Sequence, residues 1–181
     1  MKEITKQLSQ KILSSDYVDE RLEILKDKYK DETAYIIAAG PSLNNYKVEE
    51  LKQKLDDKLV FCIKQSYDVY KDICDFMFAN FCNISSFDYK NETIVSWTYW
   101  FDQHPMMIQQ NGWKADLLFP VTRNQSHDTL GRYGNSIASK GDWNNIRFEA
   151  SLERPWGPGL MYELAVPLAI HLGVKRIVTI G

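Results

Sequence analysis

The chain has 181 residues, a formal net charge of −2 and 44% hydrophobic residues. This size fits one domain with an appended segment, and the apolar fraction is sufficient for a complete core. Charges of both signs are interspersed, so the sequence indicates no basic surface for nucleic acid. No apolar run is long enough to span a membrane, and the polar start lacks the pattern of a signal peptide. We therefore expect a cytoplasmic protein without a transmembrane segment.

The cysteines and histidines do not form a metal-binding pattern. Cys62, Cys74 and Cys82 lack metal-ligand spacing, and Cys62 lies in an apolar run that is typical of a buried thiol. The histidines are scattered, and no Asp-x-Asp pair occurs that would hold a nucleotide-bound divalent metal. We expect reduced thiols, no metal site and no cofactor.

Two helical patterns precede the first strand. Apolar residues recur at helical spacing over residues 2–14 and 18–30, separated by Ser14-Ser15-Asp16. We interpret residues 1–32 as a helical arm that packs against the rest of the chain, with a partner-binding helix as the alternative.

A buried strand and a tight turn open the main domain, which we place at residues 33–181. The apolar run over residues 34–39 leads into Gly40-Pro41-Ser42. Gly40 allows backbone to approach a ligand, Pro41 stiffens the turn, and Ser42 is suited to cap the next helix. Because a helix N-terminus offers free N–H groups, the turn suits a phosphate; an ordinary strand-to-helix turn is the alternative.

Two further buried strands end in polar residues. Residues 59–63 lead into Lys64-Gln65-Ser66, and residues 76–79 lead into Asn80. Short helices are predicted from the apolar spacing over residues 48–55 and over residues 69–73. A parallel sheet presents its functional groups at the ends of such strands.

The remainder of the chain contains an aromatic-rich stretch and a clear final unit. Strands are predicted at 93–97 and 117–119, and residues 98–156 form an insertion too long for an idle loop. The insertion either covers the site and binds a polar ring or is an irregular segment without a ligand. Gly157-Pro158-Gly159 then leads into a buried helix over 160–172, in which Pro167 predicts a break. Gly173 predicts the end of that helix, and residues 176–180 predict a closing strand.

These patterns predict an α/β protein with a Rossmann-like, mostly parallel sheet and helices on both faces. Because the chain stops at Gly181, where the next functional loop would begin, we expect a chain that is truncated at its C-terminus.

Three separated pieces resemble the family 42 sialyltransferases and the related motility-accessory-factor and archaeal pterin-pyrophosphokinase-like proteins. The family's Gly-x-Gly-Pro-Ser-Leu turn matches Ala38-Ala39-Gly40-Pro41-Ser42-Leu43, and its second strand tip matches Ile63-Lys64-Gln65. Its third strand ends in Asn, here Asn80, and its later loop and final strand look like Pro158-Gly159 and residues 172–177. The resemblance covers residues 33–82 and 154–181. Ala38 replaces the family's first Gly, and Lys64 replaces an Asn that would contact the nucleotide.

The resemblance implies inverting transfer of a sugar from a CMP-type donor to a glycan or glycoprotein acceptor, without a metal. It further implies that Gly40, Pro41, Ser42, Lys64, Gln65, Asn80 and residues 157–159 hold the nucleotide sugar. The family's catalytic residues would fall after Gly181, so no catalytic residue is assigned.

For each binding residue a structural role is the alternative: shaping a turn, capping a helix or satisfying a strand end. Two other functions remain open. The first is metal-dependent diphosphoryl transfer, for which Asp72 and Asp75 are the available carboxylate pair. The second is a non-catalytic binding module. A homo-oligomer also remains open.

Overall fold

A computed structural model describes residues 1–80, 87–99, 110, 112–120 and 160–181. Its strands are β1 (Thr33–Ile37), β2 (Leu59–Ile63), β3 (Phe76–Asn80), β4 (Ile94–Tyr99), β5 (Leu117–Pro120) and β6 (Arg176–Ile180). All pair in parallel in one sheet, in the order β5-β4-β3-β2-β1-β6. The predicted α/β, Rossmann-like fold is confirmed.

Helices cover both faces of the sheet, as predicted. They are α1 (Lys2–Ile12), α2 (Val18–Leu25), a 3₁₀ helix (Pro41–Asn45), α3 (Val48–Leu55), α4 (Ser66–Tyr70), a π-helical segment (Leu160–Ala165) and α5 (Val166–His171). α1, α2, the π-helical segment and α5 share one core layer with the sheet, and α3 and α4 share the other. None of the helices in the described ranges is long and apolar enough to cross a membrane.

The strands supply both core layers because their side chains alternate between the faces. In β2, Phe61 faces the layer of α1 and α2, whereas Cys62 faces the layer of α3 and α4, and both are fully buried. The Phe61 ring centroid lies 5.0 Å from that of Phe76 and 5.2 Å from that of Phe78. Burial on both sides explains why this strand is apolar at every position.

The second N-terminal helix is shorter than predicted. The pattern over residues 18–30 continues, but α2 ends at Leu25 and Asp27 adopts a positive φ of 57°. Beyond that point the N–H of Asp27 donates to the carbonyl of His171 (3.0 Å), and the N–H of Tyr29 donates to that of Leu172 (2.9 Å). The segment thus leaves its own helix to satisfy the last carbonyls of α5, which otherwise lack partners.

The short helix after β2 also differs from its prediction at residues 69–73. It spans Ser66–Tyr70 and follows β2 almost directly. The Ser66 hydroxyl accepts from the Ile63 N–H (2.9 Å) and donates to the Ile37 carbonyl (2.7 Å). This pairing of two strand ends fixes the helix start three residues earlier than the apolar spacing suggests.

The sequence predicts a kink or a local break at Pro167, and the structure shows a change of helix type just before this residue. The π-helical segment gives way to α5 just before this residue, so Pro167 sits in the first turn of α5, where a missing N–H is tolerated. Gly173 follows the helix with φ +83°, as expected for a terminating glycine. The predicted insertion over 98–156 lies mostly outside the described residues.

Candidate functional site

A cleft of about 480 Å³ opens at the carboxyl edge of the sheet. It lies between the turn after β1, from Ala39 to Asn44, and the turn after β2, from Gln65 to Val69. β1 is flanked by β2 on one side and β6 on the other, so the direction of chain winding reverses between β1 and β6, and β1 borders both this reversal and the cleft. In open α/β sheets, ligands bind outside the strand ends at this kind of reversal.

Gly40 is required by the close approach of another chain segment. Its φ of −84° is open to any residue, but a Cβ here would collide with the backbone of Gly181 just beyond β6. The neighbouring N–H of Ala38 donates to the Ile180 carbonyl at 2.8 Å, which holds the two segments together. The glycine therefore has a structural role in addition to its position on the cleft wall.

Ser42 does not cap a helix, contrary to the sequence expectation. The cap position of the 3₁₀ helix is Gly40, and α3 begins after Lys47. Ser42 is exposed within the 3₁₀ helix, and it is not among the residues that line the cleft. Of the predicted residues on this turn, Gly40 and Pro41 do line it.

The turn after β2 begins with a residue in the left-handed region. Lys64 has φ +52°, which is uncommon for a residue other than glycine. Its N–H donates to the Phe78 carbonyl at 3.0 Å, a bond that ties the tip of β2 to β3. The side chain is half-buried and forms no ion pair within the described part of the chain. Gln65 comes next, is exposed and lines the cleft.

The remaining predicted binding residues are not among the described residues that line this cleft. Asn80 is the last residue of β3, paired with Thr98 of β4 at the same edge of the sheet. Gly157, Pro158 and Gly159 lie outside the described residues.

Several lining residues were missed by sequence reasoning. They are Ala39, Leu43, Asn44 and Val69, whereas Ser66, which also lines the cleft, belongs to the polar tip expected after β2. Asn44 carries the most informative chemistry, because its carboxamide both donates and accepts hydrogen bonds. Its position two residues after Ser42, in the first turn after a buried strand, was the available signal.

The proposed carboxylate pair for a metal does not form at this edge. Asp75 precedes β3 and so lies at the amino edge, opposite the cleft, whereas Asp72 is exposed and pairs with Lys90. The hydrogen bond from Lys90 lowers the pKa of Asp72. Within the described ranges, no group of three His, Cys, Asp or Glu side chains is arranged to hold a metal. Asp72 and Asp75, the pair that diphosphoryl transfer would need, therefore do not supply a carboxylate pair at the cleft.

Asp75 instead fastens α1 to the sheet. One carboxylate oxygen accepts from the Thr5 hydroxyl (2.6 Å), and the other accepts from the Val60 N–H (2.9 Å). Lys2 lies 3.4 Å from the carboxylate, and the Tyr29 hydroxyl lies 2.7 Å from that of Thr5. Burial raises the pKa of Asp75, and the Lys2 charge opposes this rise. The group is structural.

Asp116 repeats the arrangement at the start of β5. Its N–H donates to the Val95 carbonyl (2.9 Å) and its carboxylate accepts from the Val95 N–H (2.7 Å), as Asp75 does with Val60. Lys114 lies 3.1 Å from the carboxylate. Both aspartates thus close the amino end of the neighbouring strand through one backbone–backbone bond and one backbone–carboxylate bond.

Burial raises the pKa of Asp116, and the positive charge of Lys114 partly opposes this rise. The raised pKa predicts that the stability of the protein depends on pH. As pH falls from 7, the native state binds a proton before the unfolded state does, so this group adds stability. The gain is complete below the ordinary Asp pKa of about 4 and is lost as pH rises through the raised value. Urea unfolding from pH 7 down to about pH 3.5 should therefore show the free energy of unfolding of the wild type rising relative to that of Asp116→Asn as the pH falls. A pH-independent difference would contradict the assignment.

No protein-family model matches this chain, and no curated protein matches it in sequence. What the structure itself establishes is an α/β, Rossmann-like chain with one parallel sheet and a cleft at its carboxyl edge.

Proposed function

We propose that this cleft binds a nucleotide-sugar donor and that the protein is a sialyltransferase-like glycosyltransferase. In this proposal the sugar of a CMP-type donor passes to a hydroxyl of a glycan or glycoprotein acceptor in the cytoplasm. The observation that supports it is the position of the cleft at the carboxyl edge of the sheet. The cleft lies next to β1, which also borders the reversal of chain winding at β6. The cleft volume also falls within the range of about 300–1,000 Å³ that is usual for small-molecule sites.

The binding roles follow from the chemistry of the two turns. Gly40 and Pro41 form one wall and Gln65 supplies a carboxamide from the other. Lys64 provides a cation for the phosphate, and Ser42 provides an exposed hydroxyl. Asn80 and residues 157–159 remain proposed contributors to nucleotide binding.

CMP is expected to raise the melting temperature of the protein, with or without magnesium. A ligand that binds only the native state stabilises it by about 2.7 kcal/mol at about 100 times its dissociation constant. Thermal shifts with CMP, CDP, UDP, GDP and ATP, each with and without magnesium, test this. Gln65→Ala should reduce the CMP shift, whereas Gln53→Ala, an exposed position on α3, should retain it.

The other outcomes distinguish the competing functions. A shift that requires magnesium would favour diphosphoryl transfer over sugar transfer. No shift with any of these nucleotides would overturn the proposal and favour a non-catalytic binding module.

A further inference from the structure

Among the residues that the structure describes, the wall of the cleft carries no charged side chain. Its lining residues are Ala39, Gly40, Pro41, Leu43, Asn44, Gln65, Ser66 and Val69. A phosphate placed among them would lose water without gaining a cation, which is costly. An uncharged ligand group therefore suits this lining better than a phosphate does.

Two carboxamides are the side-chain polar groups left available in the described part of the lining. The Ser66 hydroxyl is buried and already bonded to Ile63 and Ile37. Asn44 and Gln65 are both exposed, and neither carboxamide has a hydrogen-bond partner among the residues that the structure describes. They come from different turns, so a ligand between them is contacted from two sides.

Apolar side chains complete the lining. Pro41 and Leu43 come from the first turn, and Val69, which is 42% exposed, comes from α4. A flat ring that entered the cleft would cover these groups and gain apolar burial. An uncharged ring with donors and acceptors on its edge suits such a wall, since Asn and Gln pair well with the edges of nucleobases.

The geometry points to Asn44 and Gln65 as the pair that reads the base of the nucleotide, with the phosphate outside the cleft towards Lys64. This inference rests on the proposed nucleotide binding and adds to it a ligand orientation and a specificity residue, Asn44. Lys64 directly precedes Gln65, stands outside the cleft lining and has no ion pair among the described residues. The other cation on the two turns, Lys47, is paired with Glu50 at 3.0 Å.

The experiment measures binding of CMP, cytidine and cytosine by calorimetry to the full chain. Asn44→Ala should weaken cytidine and CMP by the same factor, about fivefold for one lost hydrogen-bonding group. Lys64→Gln should weaken CMP and leave cytidine unchanged, because only CMP carries a phosphate. Asn45→Ala is the matched control: it is the adjacent exposed asparagine in the same 3₁₀ helix, outside the cleft lining.

The outcomes separate this inference from the proposed function. If the wild type binds CMP but Asn44→Ala behaves like Asn45→Ala, the base does not lie between the carboxamides and only this inference fails. If Asn44→Ala weakens CMP but not cytidine, the orientation is reversed and the inference again fails. If the wild type binds none of the probes, the nucleotide site itself is excluded and both fail. Because Asn44 is exposed, its replacement by Ala should not disturb folding. An unchanged melting temperature of the variant without ligand checks this.

Discussion

Asp75→Ala is expected to lower the free energy of unfolding by about 3 kcal/mol, among the largest effects of any polar substitution in this chain. The side chain is fully buried, and its removal leaves the Val60 N–H and the Thr5 hydroxyl without their acceptor. It also removes the partner of Lys2 at the start of α1. Urea unfolding measures the loss, and faster hydrogen exchange at the Val60 amide should accompany it.

Asp72→Ala is the matched control for this substitution. Asp72 lies three residues earlier, but its side chain is 58% exposed and its partners are the surface lysines Lys52 and Lys90. Exposed ion pairs contribute about 0–1 kcal/mol, so this variant should unfold almost as the wild type does. Equal losses for the two variants would show that Asp75 does not fasten α1 to the sheet.

Gly173→Ala is expected to cost about 2–3 kcal/mol, from backbone strain and crowding together. Gly173 has φ +83°, and a Cβ there would lie 2.9 Å from Asp27 Oδ1 and 3.1 Å from Asp27 Cα. The Asp27 backbone cannot move freely, because its N–H is bonded to the His171 carbonyl. The loss is measured by denaturant unfolding.

Gly112→Ala separates the two contributions to this loss. Gly112 also has a positive φ, +63°, but no atom of the described residues lies within 4 Å of a Cβ at that position. This variant should therefore show only the strain of a left-handed residue, about 1 kcal/mol. If Gly173→Ala loses no more stability than Gly112→Ala, the segment after α2 does not restrict position 173.

The sheet was predictable because its signal is local. β2 and β6 match the predicted residues 59–63 and 176–180, since each is an uninterrupted run bounded by polar or turn residues. The end of α2 was not predictable, because it depends on carbonyls of His171 and Leu172 that are distant in sequence. Asp75 and Asp116 were missed as strand-closing groups for the same reason, since their partners lie on a neighbouring strand.

The site was predictable only in outline. The polar tips after β1 and β2 were correctly expected to share one edge, and Gly40, Pro41 and Gln65 meet at the same cleft. Gly40 was expected either to admit a ligand or to shape the turn, whereas its tightest restriction comes from Gly181. Asn44 was overlooked because a helical turn, not a motif, brings it to the cleft wall.

The pairing of β1 with β6 has a consequence for synthesis on the ribosome. β1 lies inside the sheet, yet one of its two neighbours, residues 176–180, is made long after it. Until then the nascent chain exposes an unpaired, apolar strand edge beside a half-formed core, which is a site for aggregation or chaperone binding. β1 therefore gains its second neighbour only from a late segment, which also positions Gly181 against the turn of the cleft.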